Sequence, residues 1–200
     1  NLRGCLEALA AQDLFMAHAL DLTGFPKPRK YARGYAALLR IIASQQISNE
    51  AGASIWKKLE SRLSEVTAEK VLRAHEKTLR ECGLSRPKVR YAKTLAQAVK
   101  LRELDLEELE SCSDEKVRLA LTKFIGIGPW TAEIYLMFVL GRPDIFPSGD
   151  LALAIAAKNM LELADKPDPV ELATIAERWR PYRTAASIML WHYYRRLPLV

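Results

Sequence analysis

The sequence predicts an all-α protein. Three observations carry this: apolar residues recur at helical spacing in most stretches, no stretch alternates convincingly at period two, and Gly and Pro breakers cut the chain into helix-sized pieces. Leu172, Ile175, Ala176 and Trp179 fall at i, i+3, i+4 and i+7, one face of a helix. Ala92, Leu95, Ala96 and Val99 repeat the pattern, as do Val117, Ala120, Leu121 and Phe124. Ile55, Leu59 and Leu63 recur every four residues, with Trp56 beside them.

The boundaries follow from the breakers. The first helix is expected from about Leu6 to Leu22, ended by Gly24-Phe25-Pro26. Thr67 and Ser113 are N-caps, with Lys70 and Lys116 where a capping box needs Glu or Gln. Pro87 starts a helix reaching about Lys100, and Pro181 opens the last helix in the same way. The expected total is nine to ten helices in a single domain. Its two lobes are roughly 36–129, and 1–35 together with 130–200.

The 200 residues carry 30 Lys and Arg against 24 Asp and Glu, a net charge of +6, which suits a polyanionic partner without proving one. The longest apolar runs, Ile134 to Leu140 and Leu151 to Ala157, are far short of a bilayer span. Cys5, Cys82 and Cys112 are scattered and include no CxxC pair, so a zinc site or iron–sulfur cluster lacks its ligands. Three isolated thiols suit a reducing cytoplasm. His18, His75 and His192 stand alone and receive no catalytic role.

The most informative segment is Phe124-Ile125-Gly126-Ile127-Gly128-Pro129. Two glycines one residue apart permit a tight turn between helices and leave room for close approach. Pro129 is preset for a first helical turn. The N–H groups of Gly128, Trp130 and Thr131 then face outward at a helix N-terminus, a ready anion site, and Thr131 adds a hydroxyl. Spacing alone favours a plain αα-corner, since Gly-x-Gly between helices is common. A dinucleotide fingerprint is excluded, since neither a preceding strand nor a third glycine is present.

Asp150 precedes Leu151-Ala152-Leu153-Ala154-Ile155-Ala156, a strong helix former, and local sequence supports an N-cap there. A capping carboxylate beside the helix dipole stays ionised and held in place, so capping and chemistry are compatible.

Leu121 to Ala132, with its Gly-Ile-Gly-Pro-Trp-Thr-Ala core, resembles the helix-hairpin-helix of the base-excision DNA glycosylase superfamily, in particular 3-methyladenine DNA glycosylase II. Phe146-Pro147-Ser148-Gly149-Asp150 matches the loop and aspartate that follow in that family. Ile42 to Ser48 matches an earlier segment, and Trp179 to Ala186 with Trp191 the ending. The resemblance runs from roughly Gly34 to Trp191, and four ordered motifs are far more specific than one.

The resemblance implies a two-lobed fold with hairpin and aspartate at the cleft between lobes. Its substrate is double-stranded DNA containing a damaged base, which must be flipped out to be reached. Asp150 is the implied catalytic carboxylate, stabilising an oxocarbenium-like sugar or orienting water. Alkylated purines such as 3-methyladenine and 7-methylguanine already carry positive charge, so no second catalytic residue is expected. Trp130 occupies the position where bifunctional relatives carry lysine, which implies base removal without β-lyase activity. Trp130 and Trp191 line the implied base pocket through cation–π stacking, although core packing also accounts for Trp191. Ile134 and Leu151 stand where closer relatives carry two further aromatics.

Gln45, Gln46 and Ile47 supply the implied wedge, with Gln46 at its tip. Gly126, Gly128, Trp130, Thr131 and Ala132 form the implied DNA-binding hairpin. A sodium or potassium ion on the backbone carbonyls of Thr122, Phe124 and Gly126 is implied too; no other cofactor is expected. Lys88, Arg90, Lys93, Arg86 and Lys123 are candidate phosphate contacts or solvated faces. The ~35 residues ahead of the match are too few for the β-rich N-terminal domain of bacterial relatives. The chain opens with Asn1, so it is either a compact form or a truncated one. A monomer in the bacterial cytoplasm is expected. Excision of uracil, hypoxanthine or 8-oxoguanine remains a rival reading, as does a non-catalytic hairpin DNA-binding module.

Overall fold

The computed structural model describes residues 1–29 and 31–196. Among these it holds twelve α-helices, two 3-10 turns and no strand, so the all-α expectation holds and the helix count exceeds the expected nine to ten. The surplus has a physical origin at Asp13. The run expected as one helix from Leu6 to Leu22 is two, α1 (Leu2–Gln12) and α2 (Leu14–Thr23). Asp13 adopts extended backbone between them, and its Oδ1 accepts the N–H of Phe15 and Met16 at the start of α2. Its Oδ2 accepts from the Trp179 indole at 3.0 Å and from Arg178 Nε at 2.9 Å. Asp13 is only 5% exposed, and each of its carboxylate oxygens is met by donors, one of them cationic.

The chain forms two compact units, one being Tyr31–Leu140 and the other the segments on either side of it. These divisions fall at Tyr31 and Leu140, where the sequence reading put them near residues 35 and 129. The reason is α9 (Pro129–Phe138), which packs on α3 (Tyr35–Ala43) and α8 (Asp114–Thr122), keeping the whole hairpin in the central unit.

Within that unit, α3 is buried on nearly every side and packs on α9, on α4 (Asn49–Leu63) and on α7 (Arg86–Lys100). Helix α7 presents Val89, Ala92, Leu95 and Ala96 as an apolar stripe. The buried Tyr35 hydroxyl donates to Ala92 O at 2.8 Å, and burial holds that phenol far above its ordinary pKa. Two short helices, α5 (Ala68–Arg73) and α6 (Glu76–Glu81), cover α7. Thr67 and Ser113 cap α5 and α8 as expected.

The flanking unit packs α1 and α2 against α12 (Arg183–Tyr194), which also packs on α10 (Leu151–Met160). Its core includes Leu9, Met16, Leu153, Ala157, Trp179 and Met189. The one complete capping box among the described residues joins Asp168 and Glu171 at the start of α11 (Pro169–Ala176), a position the sequence reading did not single out. The last helix begins at Arg183, not at Pro181, which lies ahead of it in a cis peptide bond with Arg180.

Candidate nucleic-acid interface and active site

In the Tyr31–Leu140 unit the hairpin turns through Lys123–Gly128. The Phe124 N–H bonds Leu121 O, and the Ile127 N–H bonds Phe124 O at 3.1 Å. Its two glycines differ in kind. Gly126 has φ +89, and a Cβ there would stand 2.3 Å from the Tyr91 ring, so both backbone and space demand glycine. Gly128 has φ −91 and ψ 178, extended backbone open to any residue, and a Cβ there would meet nothing within 4 Å. Neither the backbone nor the surrounding protein therefore demands glycine at 128.

Gly128 is the N-cap of α9, Pro129 is the first helical residue as expected, and no side chain caps this end. The first-turn N–H groups at Gly128, Trp130 and Thr131 retain the positive end of the dipole. A concavity of about 670 Å³ lies against the turn, lined by hairpin residues together with Gln45, Gln46, Ser85, Lys88 and Tyr91.

Several residues expected to touch DNA make hydrogen bonds that hold this surface together. Gln45 Nε2 donates to Gly126 O at 2.9 Å and to Thr131 Oγ1 at 2.8 Å. The Gln45 side chain is thus a brace between two turns. Thr131 is 2% exposed with its hydroxyl in that brace, and Ala132 is fully buried with its N–H bonded to Gly128 O. Neither side chain reaches the surface, because α9 is apolar almost all round and buries most of its circumference. Lys88 Nζ donates to Ala43 O and Gln45 O, closing the C-terminus of α3 and fixing the loop after it. Burial lowers the Lys88 pKa. Lys93 Nζ caps α5 through Leu72 O and Ala74 O. What projects from the loop is Gln46, exposed and at φ +59, with the partly exposed Ile47 after it.

Trp130 is half-buried in the first turn of α9. One turn on, Glu133 is half-buried too, and burial, partly offset by Arg118, pushes its carboxyl up to about 7.

In the flanking unit, Asp150 is the N-cap of α10. Its Oδ1 accepts the Leu153 N–H at 3.0 Å and the Trp191 indole Nε1–H at 3.2 Å. Both residues are half-buried, and Leu151 beside them is 61% exposed. Trp191 therefore does more than fill the core: its indole donates to the same carboxylate oxygen that caps α10. The segment before Asp150 is anchored by Arg183 and Thr184 at the start of α12, both inside the Trp179–Ala186 motif but without an expected role of their own. Among the described residues no group of His, Cys, Asp and Glu side chains is arranged to hold a metal ion, and no helix is long and apolar enough to cross a membrane.

Comparison with known proteins agrees with this arrangement. The family model of the HhH-GPD superfamily base excision DNA repair proteins matches residues 39–181. An alkylbase DNA glycosidase-like protein, mag2, from Schizosaccharomyces pombe is 33% identical over 78% of this chain and 76% of its own length. A putative DNA-3-methyladenine glycosylase, YfjP, from Bacillus subtilis is 38% identical over 56% of this chain, and the match spans 39% of that longer protein. The structure of the S. pombe 3-methyladenine DNA glycosylase Mag1 in complex with abasic DNA superposes with a TM-score of 0.87 at 29% identity, covering 94% of this chain and 95% of that one. Hairpin, following aspartate and the extent of the match lead to one conclusion: the chain belongs to the HhH-GPD superfamily of base excision DNA repair proteins.

Proposed function

We propose that this protein is a monofunctional DNA glycosylase that excises alkylated purines from duplex DNA, with Asp150 as its catalytic carboxylate. The observation that carries the reading is the fixing of Asp150: a half-buried carboxylate whose Oδ1 is gripped by a helix terminus and by an indole. A preorganised anion of this kind is what a sugar cation needs, because no reorganisation is left to the moment of reaction. The C1′–N bond breaks with its electron pair leaving on the base. Positive charge develops on the sugar beside Asp150, and water adds its oxygen to C1′ and loses a proton. A methylated purine that starts cationic departs neutral, so no proton need be donated to it. The indole of Trp191 is suited to stacking with such a base.

DNA is held through its phosphates by the uncapped N-terminus of α9, and open space at Gly128 permits that approach. Gln46 and Ile47 are the exposed wedge residues, braced from behind by Gln45. The carbonyls of Thr122, Phe124 and Gly126 fit a monovalent cation such as sodium or potassium. The turn offers neutral oxygens, with no carboxylate among the residues lining it, so a divalent ion is not favoured. Phe124 O and Gly126 O each already accept one hydrogen bond, leaving one lone pair apiece. Trp130 has no nucleophilic amine, so no Schiff base forms and the strand stays whole. Every residue used lies on one chain, so a monomer suffices, and three free thiols suit a reducing cytoplasm.

The test is excision from methylated duplex DNA, with released bases identified by chromatography and strand nicking scored separately. Release of 3-methyladenine or 7-methylguanine with unbroken abasic strands is expected. Tight DNA binding without release of any base refutes the reading.

A further inference from the structure

The segment Gly141–Asp150 contains no regular secondary structure, so the position of its last residue depends on what holds the segment. We infer that Arg183 is a positioning residue: through Asp144 it anchors this segment to the first turn of α12 and thereby sets where the Asp150 carboxylate stands. The inference rests on the reading of Asp150 as the catalytic carboxylate.

Arg183 grips Asp144 with a planar fork. Its Nε donates to Oδ1 at 2.8 Å, its Nη2 to Oδ2 at 3.1 Å, and the same Nη2 to the Asp144 carbonyl at 2.9 Å. The Arg183 backbone N–H reaches Oδ1 as well. The side chains are 17% and 23% exposed, which sets this pair apart from a solvent-screened surface bridge. Arg180 adds Nη1 to Asp144 Oδ2 at 2.7 Å, and Glu177 receives both arginines on their outer side. Burial alone would raise the Asp144 carboxyl; the hydrogen bonds and charges of Arg183 and Arg180 outweigh it and hold it below the ordinary carboxylate value.

Thr184 continues the same grip. Its N–H donates to Pro143 O, its hydroxyl to Arg142 O at 2.7 Å, and its Oγ1 accepts the Ile145 N–H at 3.1 Å. Two consecutive residues of α12 thus hold four consecutive residues of the segment. Ile145 and Phe146 then bury, with Phe146 against Trp179, and Asp150 closes a turn through its N–H to Pro147 O.

Seven residues along α12 from Thr184, and so on the same face about 10 Å further on, Trp191 donates to Asp150. One rigid helix therefore holds both ends of an otherwise irregular segment. If the clamped end slips, the indole and the carboxylate lose register. A displacement near 1 Å costs about 10²-fold in rate when a reacting group must be placed accurately.

The experiment compares Arg183→Lys, Asp144→Asn and the control Glu177→Gln. Lysine retains the charge of Arg183 and loses the two-pronged geometry. Single-turnover excision should fall about 10- to 100-fold in Arg183→Lys and Asp144→Asn, with DNA affinity changed less than threefold. Glu177→Gln should stay within about threefold, since Glu177 touches only the arginines. A second readout needs no activity. The four tryptophans give four indole ¹⁵N–H signals, and Trp191→Phe assigns the one that reports the bond to Asp150. In the clamp variants the Trp191 signal should move while that of Trp56, in the Tyr31–Leu140 unit, stays in place. An unmoved Trp191 signal with unchanged excision overturns the inference. So does collapse of all four signals, which would make the pair a general stabiliser. If the wild type releases no base, the functional reading fails, and the Trp191 signal still decides the clamp.

Discussion

Replacing Gly126 or Gly128 by alanine separates folding from DNA binding within a single turn. At Gly126 the backbone has φ +89, where a Cβ is strained by roughly 1–2 kcal/mol. That Cβ would also lie 2.3 Å from Cγ and Cδ2 of Tyr91, so the ring must shift by more than 1 Å. Overpacking of this kind costs about 1–3 kcal/mol, and the half-exposed ring places it toward the lower end. Gly126→Ala should therefore lose about 3 kcal/mol, a large part of an ordinary domain's stability. Adding Tyr91→Ala should recover the ring's share and leave the backbone's. Gly128→Ala should change stability by less than about 0.5 kcal/mol, since the backbone is ordinary and the space open. It should weaken DNA binding roughly tenfold by obstructing the helix terminus, about 1.4 kcal/mol. Urea denaturation reads the first quantity and fluorescence anisotropy with duplex DNA the second. A Gly126→Ala protein as stable as wild type would refute the reasoning, as would a Gly128→Ala protein equally destabilised.

Three further outcomes follow from the same structure. Glu133, raised from 4.5 to about 7 by burial, is neutral in the folded protein where the unfolded chain is ionised; it therefore costs stability progressively as pH rises from about 4.5 to 7, at up to 1.4 kcal/mol per unit. Glu133→Gln should raise Tm at pH 8 and leave it unchanged at pH 4.5, and a gain confined to acid would contradict this. Asp13→Asn keeps an acceptor for α2 but sets an amide against Arg178 and the Trp179 indole, and should cost about 3 kcal/mol in denaturant unfolding. Lys88→Met should cost about 1–2 kcal/mol through the lost carbonyl cap, and should leave the slope of log DNA affinity against log salt unchanged; a slope lower by about one would make Lys88 a phosphate contact after all.

Most of the fold was legible because its signals are local. The Pro129 start of α9, the caps at Thr67, Ser113 and Asp150, and the stripe on α7 rest on neighbours within a turn or so along the chain. The break at Asp13 was hidden because apolar periodicity runs through it, and what fixes it is an indole 166 positions away. At the site, the chemistry-bearing types were found and their orientation was not. Gln45 reads as a polar loop residue, and only the partner 86 positions on, Thr131, makes it a brace. Periodicity was silent on which side of α9 meets solvent, because nearly every position there is apolar; Thr131 and Ala132 went inward for that reason. Lysines 88 and 93 carry charge that suits phosphate, yet their length lets them curl onto helix carbonyls. Arg183 sat inside a recognised motif whose individual members had no local reason to stand out.

The central claim is that the fixed charge of Asp150 drives excision. Asparagine at 150 preserves the cap of α10 and an acceptor for Trp191 while removing that charge. Single-turnover release of methylpurines by Asp150→Asn should fall by about 10² to 10³, with DNA affinity and Tm close to wild type. Excision at the wild-type rate by that variant would contradict the account.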